Sequence, residues 1–128
     1  MYKNIEVFRV SHAMATHAGS RQAVIARNMA NSDTPGYVAR DLVPFAAVLE
    51  AGPGSFTQKS TRMAHLNGID HAGPYATVAR DGAMADPNGN TVSVETEMAH
   101  AVSVKRQHDR AVAIYKSALG IMRSALGR

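Results

Sequence analysis

Six histidines are the side chains of this 128-residue chain best suited to hold a metal ion or to exchange protons. His12 and His17 lie five residues apart, which misses the spacing that places two ligands on one helical face. Residues 97–100 end in a histidine but lack the first histidine of the zinc-protease motif. The chain has no cysteine, so thiolate ligands and cysteine nucleophiles are excluded. We therefore expect no metal site and no cofactor.

Catalytic residues are equally hard to assemble. No Ser/His/Asp set and no pair of carboxylates can be placed together from their spacing. Gly52-Pro53-Gly54 lacks the lysine and the helix that follow a phosphate-binding loop. We expect the protein not to be an enzyme.

The charge distribution is uneven along the chain. The formal net charge is +4 and the sequence pI is about 9.8. Six of the 14 basic residues follow Glu97, where Asp109 is the only acidic residue, while four acidic residues lie between Asp81 and Glu97. A helix dipole favours acid at its start and base at its end. The alternative is a basic helical nucleic-acid-binding protein, whose binding would fall steeply with salt. Against it, the basic residues alternate with apolar ones and no aromatic stacking platform accompanies them, so we expect no nucleic-acid partner.

The sequence shows no pattern typical of a transmembrane helix or of a secretory signal. No apolar run approaches the length of a transmembrane helix, and the first residues lack the basic start and apolar core of a secretory signal. We expect no direct membrane span and no cleaved signal peptide.

The elements that must position these side chains are two long helices. Residues 90–128 are predicted to form a heptad helix that starts near Ser93, a suitable N-cap, with Glu95 and Glu97 in its first turn. Its apolar seam has spacings of three and four and would bury a narrow stripe against another helix, from this chain or a neighbour. The seam consists of Met98, Ala101, Lys105, His108, Val112, Tyr115, Leu119, Met122 and Leu126.

The N-terminal part, residues 1–37, is predicted to be a helix followed by a turn. Asn31 is expected to close the helix in the left-handed conformation, and Pro35 prevents its continuation. Thr34-Pro35-Gly36-Tyr37 predicts a type II turn. The apolar face of the helix comprises Ile5, Phe8, Ala15, Ala18, Ile25 and Met29.

The middle segment, residues 38–89, is rich in proline and glycine. We expect it to be irregular and partly flexible, with a short helix at 45–50 and a short strand at 75–79. The predicted fold is therefore mainly α with little β. Long N- and C-terminal helices would pair as a coiled-coil-like bundle, which makes residues 1–37 and 90–128 one structural unit.

Several stretches of this sequence resemble one family. Residues 26–37, from Ala26 to Tyr37, closely resemble the signature that ends the first helix of bacterial flagellar rod and hook proteins. Residues 90–98 resemble the start of their C-terminal helix, and 124–127 their usual chain end. Residues 59–66 resemble a middle motif of the proximal rod type, and the short chain points the same way. Ser93 departs from the family pattern, where many relatives have Asp.

The resemblance implies a structural subunit of the flagellar basal-body rod, in its proximal part, within the hollow drive shaft needed for motility. Such subunits are exported by the flagellar type III apparatus without signal cleavage. Implied partners are other rod proteins, copies of itself, the basal-body adapter protein, the membrane ring and the export gate.

The assembly interface is expected on the terminal helices and the turn. Helices that are marginal alone become stable when neighbours cover their apolar stripes, and head-to-tail contacts that do not close produce a helical filament. Hydrogen bonds to another subunit are one interpretation of Asn28 and Asn31, and helix termination alone is an equal alternative for Asn31. Tyr37 either anchors an interface or covers the turn. The candidate interface residues are Ile25, Asn28, Met29, Asn31, Pro35, Gly36, Tyr37, Met98, Val112, Tyr115, Leu119, Met122 and Leu126.

Overall fold

The computed structural model describes residues 2–50, 75–80 and 84–127, with side chains from residue 6 onward. Its elements in chain order are α1 (Tyr2–Ala30), β1 (Arg40–Leu42), α2 (Phe45–Glu50), β2 (Thr77–Ala79) and α3 (Val94–Ala125). The mainly α fold with paired terminal helices is confirmed. The predicted flexibility of the middle segment and the family motif at 59–66 fall largely on 51–74, outside the described residues.

The two long helices run antiparallel. The rings of Phe8 and Tyr115 pack edge to face with their centroids 5.1 Å apart. Further along, Ala18, Ile25 and Val104 form the core cluster, and near the other end Asn28 on α1 meets Glu97 on α3. Residue numbers thus rise along α1 as they fall along α3.

The helices meet through buried side chains at a seven-residue spacing, among which Ala18 and Ala111 are small. The buried residues of α3 are Glu97, Val104 and Ala111, and Ala18 and Ile25 follow the same interval on α1. Small residues let helix backbones approach closely, because the interaxial distance depends on the side chains at the contact. The contact therefore follows these residues rather than the larger apolar ones beside them.

The predicted seam of α3 is wrong by one position at several points. The predicted seam included Met98 and Lys105, which are both exposed. The residues that precede them, Glu97 and Val104, are buried instead. Lys105 forms an exposed ion pair with Asp109 at 3.3 Å, and His108 is also exposed. Of the predicted seam, Ala101 does pack against the core cluster.

The turn after α1 has the predicted type. Gly36 has φ +71°, and the Tyr37 N–H donates to the Thr34 carbonyl at 3.2 Å. Since Pro35 fixes the preceding φ, these features define a type II turn. The predicted left-handed Asn31 is wrong, because positive φ angles in the described residues occur only at glycines. Asn31 instead closes the helix by donating from Nδ2 to the Arg27 carbonyl at 2.7 Å.

The start of α3 and the short elements also follow prediction. Ser93 is the N-cap, and its hydroxyl accepts from the Thr96 N–H at 3.4 Å. The short helix α2 and the short strand β2 are confirmed. The sequence did not predict β1, which pairs antiparallel with β2 in the register Arg40↔Ala79.

Candidate functional site

Asn28 is the centre of a buried polar cluster at the turn end of the helix pair. Its side chain has no exposed surface. Nδ2 donates to the Arg40 carbonyl at 2.7 Å and to Glu97 Oε2 at 3.1 Å. Oδ1 accepts from the Arg40 N–H at 3.1 Å and from the Tyr37 hydroxyl at 3.3 Å. One amide therefore joins α1, the turn, β1 and α3.

A chain of ion pairs extends from this amide. Glu97 is fully buried, and Arg80 donates to its Oε1. The second guanidinium nitrogen of Arg80 lies 3.8 Å from Asp41 Oδ2. Asp41 in turn accepts two hydrogen bonds from Arg21, at 2.7 and 2.6 Å. A buried charge is tolerated only when it is paired and hydrogen-bonded, and here carboxylates and guanidinium groups alternate.

The protonation of Asp41 follows from this arrangement. Burial raises the pKa of the carboxyl, but the hydrogen bonds from Arg21 and from the Leu42 N–H, with the charges of Arg21 and Arg80, outweigh it. The net pKa of Asp41 is lowered. The hydrogen bond to Asp41 correspondingly raises the pKa of Arg21. The pair is therefore held in its charged form.

Asn90 fastens the turn to the start of α3. Its buried Nδ2 lies 2.9, 2.7 and 2.9 Å from the carbonyl oxygens of Asn31, Ser32 and Thr34. Its Oδ1 accepts from the Val92 N–H at 2.7 Å. The Asn31 and Thr34 carbonyls also accept backbone N–H groups within the turn, from Thr34 and Tyr37, so the Asn90 amide adds a bond from the start of α3 to a turn that is already formed. Together, Arg21, Asn28, Asp41, Arg80, Asn90 and Glu97 form what we call the polar junction.

The chemistry of the polar junction is structural. Its carboxylates are occupied by arginines, and it presents no nucleophile to a cavity. Within the described residues, no group of three or more His, Asp or Glu side chains lies close enough to hold a metal ion. None of the helices there combines the length and apolarity that a membrane crossing needs.

A second feature is a set of exposed apolar side chains on α3 and on its C-cap residue, Leu126. Met98 is 56% exposed, Ile121 63% and Leu126 75%. We call the exposed large apolar residues of this helix the α3 apolar surface. They are Val94, Met98, Val102, Ile114, Tyr115, Ile121, Met122 and Leu126.

The last turns of α3 are exposed because of the helix register. The rings of Phe8 and Tyr115 are in contact, so these two residues are level with each other along the helix pair. Tyr2 lies six residues before Phe8, and Ile121 lies six residues after Tyr115. The first described residue of α1 is therefore level with Ile121. Beyond that point α3 has no described part of α1 to pack against, and Leu126 lies there.

An open groove also runs between the two helices. Its volume is about 450 Å³, and Ala18, Gly19, Ala101 and Val102 lie among its lining residues. Small side chains of this kind leave room for the close approach of another helix.

The predicted interface residues divide between the interior and the surface. Ile25 and Asn28 are buried inside the chain, so they belong to its own packing rather than to an exposed surface. Tyr37 and Asn31 are partly buried and bond within the turn end. Val112 and Leu119 are also partly buried. The remaining predicted interface residues are exposed: Met29, Pro35, Gly36, Met98, Tyr115, Met122 and Leu126.

Sequence reasoning missed most of the polar junction. Glu97 was interpreted only as an acidic residue in a helical first turn, and Arg21, Asp41, Arg80 and Asn90 were assigned no role. An available signal was the seven-residue interval that joins Glu97 to Val104 and Ala111, because a polar residue in a buried stripe needs a hydrogen-bond partner.

Comparisons with known proteins find relatives of this chain by sequence. No model of a protein family matches the chain. The chain is 30% identical over 123 residues to the flagellar basal body rod protein FlgB of Agrobacterium fabrum, which covers 88% of this chain and 87% of the relative. It is 34% identical over 83 residues to the flagellar basal body rod protein FlgB of Bacillus subtilis, covering 65% of this chain and 64% of that relative.

Proposed function

This chain belongs to the FlgB family of flagellar basal body rod proteins, and from that premise we propose that it is a structural subunit which builds the rod through the α3 apolar surface. The proposed location is the proximal part of the basal-body rod, a hollow drive shaft for motility. Export through the flagellar type III apparatus, without a cleaved signal peptide, is part of the same proposal.

The observation that carries the assembly role is the exposure of Ile121, level with the first described residue of α1, and of Leu126, which lies beyond it. Burial of apolar surface away from water lowers the free energy by about 25 cal/mol per Å². A helix end with such residues and no described partner within the chain is stabilised when another subunit covers it. The groove beside Ala18 and Ala101 offers a second place where a neighbouring helix fits.

The polar junction has a complementary role in this proposal. It holds the turn, β1 and both helix ends in one geometry, so that each subunit presents the same surface to its neighbours. Repetition of one non-closing contact between subunits builds a helical tube. The proposed partners are other rod proteins, copies of this chain, the adapter protein, the membrane ring and the export gate.

The test replaces Met122 and Leu126 together with Asp in a strain that lacks the native gene. Both side chains are exposed, so the fold should persist while a charge in the proposed interface prevents assembly. We expect export into the medium to continue, swimming to stop, and the chain to be missing from purified hook–basal bodies.

A matched control places the same two charges elsewhere on the helix. Ser117 and Ser124 are exposed on α3, and the Ser117→Asp/Ser124→Asp variant should swim and assemble. Circular dichroism melting curves must show that both variants are folded. Normal rods built from the Met122→Asp/Leu126→Asp variant would overturn the proposed surface.

A further inference from the structure

His17 is a titratable group buried where α1 meets the middle of the chain. Only 1% of the residue is exposed. Its Nε2 lies 2.8 Å from the carbonyl oxygen of Val43. A carbonyl oxygen can only accept, so Nε2 carries the proton and donates. This bond ties α1 to the residues between β1 and α2.

Two aromatic rings enclose the imidazole. The ring of Phe45 lies 5.5 Å from it between centroids, and the ring of Tyr75 lies 4.8 Å away in an edge-to-face arrangement. The Tyr75 hydroxyl also donates to the Ala13 carbonyl of α1 at 3.1 Å. His17 therefore fastens two separate pieces of the middle segment, at Val43–Phe45 and at Tyr75, to one side of α1.

The second ring nitrogen is the unusual feature. Nδ1 is buried and has no hydrogen-bond partner among the described residues. In the neutral imidazole Nδ1 carries only a lone pair, which is a modest loss. A proton added there would create a buried N–H and a positive charge with no acceptor, which is a much costlier state.

The charged groups around His17 do not offset that cost. Arg21 lies one helical turn along α1 and would repel a second cation, while the Asp41 carboxylate is occupied by Arg21 in a bidentate pair. From the residues beside β2, Arg80 is directed to Glu97 of α3 and Asp41. On α3, Lys105 and Asp109 form an exposed pair with each other. The faces of Phe45 and Tyr75 attract a cation, but they offer less than the water that a released imidazolium regains.

We propose that His17 is a proton-sensitive latch, which in its neutral form holds Val43–Phe45 and Tyr75 against α1 and on protonation releases both. Histidine changes charge between about pH 5 and 8. The polar junction and the α1–α3 contact remain intact in the released state. The proposal concerns this chain alone and does not depend on its function in a rod.

The test is hydrogen exchange of the full chain at about pH 8 and about pH 5, the limits of histidine titration. At the acidic pH, amides in residues 43–50 and 75–80 should exchange at least about tenfold faster in the wild type than in His17→Gln. Glutamine keeps an N–H donor for the Val43 carbonyl but does not titrate. Comparing variants at one pH removes the intrinsic pH dependence of exchange.

His12→Gln is the matched control, because His12 is exposed on the same helix and its removal should leave the acid response unchanged. Equal protection of wild type and His17→Gln at about pH 5 would overturn the latch. So would a simultaneous loss of protection along residues 97–111, which would indicate global unfolding.

Two further measurements keep the test decisive if His17→Gln does not fold. His17→Leu fills a similar volume and also cannot titrate, so it should show the same resistance to acid. In the unmodified chain, an NMR titration of the His17 ring should have the same midpoint as the shift of the Phe45 amide. Two separate midpoints would overturn the proposal.

Discussion

The two ends of the helix pair differ in what they bury and what they expose. At the turn end, Asn28, Asn90 and Glu97 are fully buried polar residues whose hydrogen bonds are met within the chain. At the far end, where α3 finishes, Ile121 and Leu126 are apolar and exposed. The first end is complete in one molecule, and the second is the end that we propose a neighbouring subunit covers.

The difference shows how a small chain can be both specific and ready to assemble. Polar groups lose hydration on burial, so a network such as the polar junction is stable only when every member is present. That requirement favours one arrangement of the turn and helices. Apolar contacts are non-directional, which suits the role in assembly that we propose for the α3 apolar surface.

The largest expected effect comes from breaking the ion pair of the turn end. Arg80→Met leaves the buried Glu97 carboxylate without its cation, and removing one partner of a buried pair costs about 3–5 kcal/mol. Urea unfolding measures the loss. Toward the far end, Arg9 and Glu6 form an ion pair at 3.2 Å with both side chains mainly exposed.

Arg9→Met is therefore the matched control, and it should leave the unfolding free energy unchanged within error. Similar losses in the two variants would contradict the contrast between a paired interior and a solvated surface.

A second test changes single atoms within the turn end. Asn90→Asp replaces the amide that faces three carbonyl oxygens with a carboxylate oxygen, and we expect a loss of about 3 kcal/mol. Asn88→Asp is isosteric in the same way. There, however, the side-chain atom in use is Oδ1, which accepts from the Asn90 N–H at 2.9 Å.

An aspartate at position 88 keeps that acceptor, so thermal melting should show little change for this variant. If Asn90→Asp were as stable as Asn88→Asp, the side chain of Asn90 would not be what fastens the turn to α3.

The smallest expected changes in stability come from replacing one glycine at each end with alanine. Gly36 has φ +71° and open space where a Cβ would lie, so Gly36→Ala should cost about 1–2 kcal/mol through backbone strain alone. Gly120 lies within α3 and also has open space around it. Gly120→Ala should stabilise the protein by about 0.5–1 kcal/mol, because glycine is a poor helix former.

We expect the melting temperature to fall in Gly36→Ala and to rise in Gly120→Ala, each relative to the wild type. Destabilisation by both alanines would mean that the helix of the far end is strained at residue 120.

Local patterns were sufficient for the individual elements. Pro35 and Gly36 predicted the type II turn because proline fixes its own φ and glycine permits the positive φ that the next position requires. Ser93 predicted the start of α3 because a cap is formed with residues only a few positions away. The residues of the turn carried the family resemblance for the same reason, since they form one continuous stretch of sequence.

The same reasoning failed where two distant segments had to be matched. The seam of α3 was displaced because Met98 and Met122 dominate a hydrophobic pattern, whereas the contact follows Val104 and Ala111. Which stripe of a helix is buried depends on the helix it meets, and small residues that permit close approach give only a weak signal in the pattern.

The sequence by itself determined two long helices, the turn that follows the first and the cap that starts the second, since each depends on the conformational preferences of neighbouring residues. The tertiary structure decided the register of the helix pair, the existence of β1 and the polar junction. The bond between Asn28 and Glu97 joins positions 69 residues apart. No short-range preference specifies that pairing, because both side chains are buried only once the helices have packed.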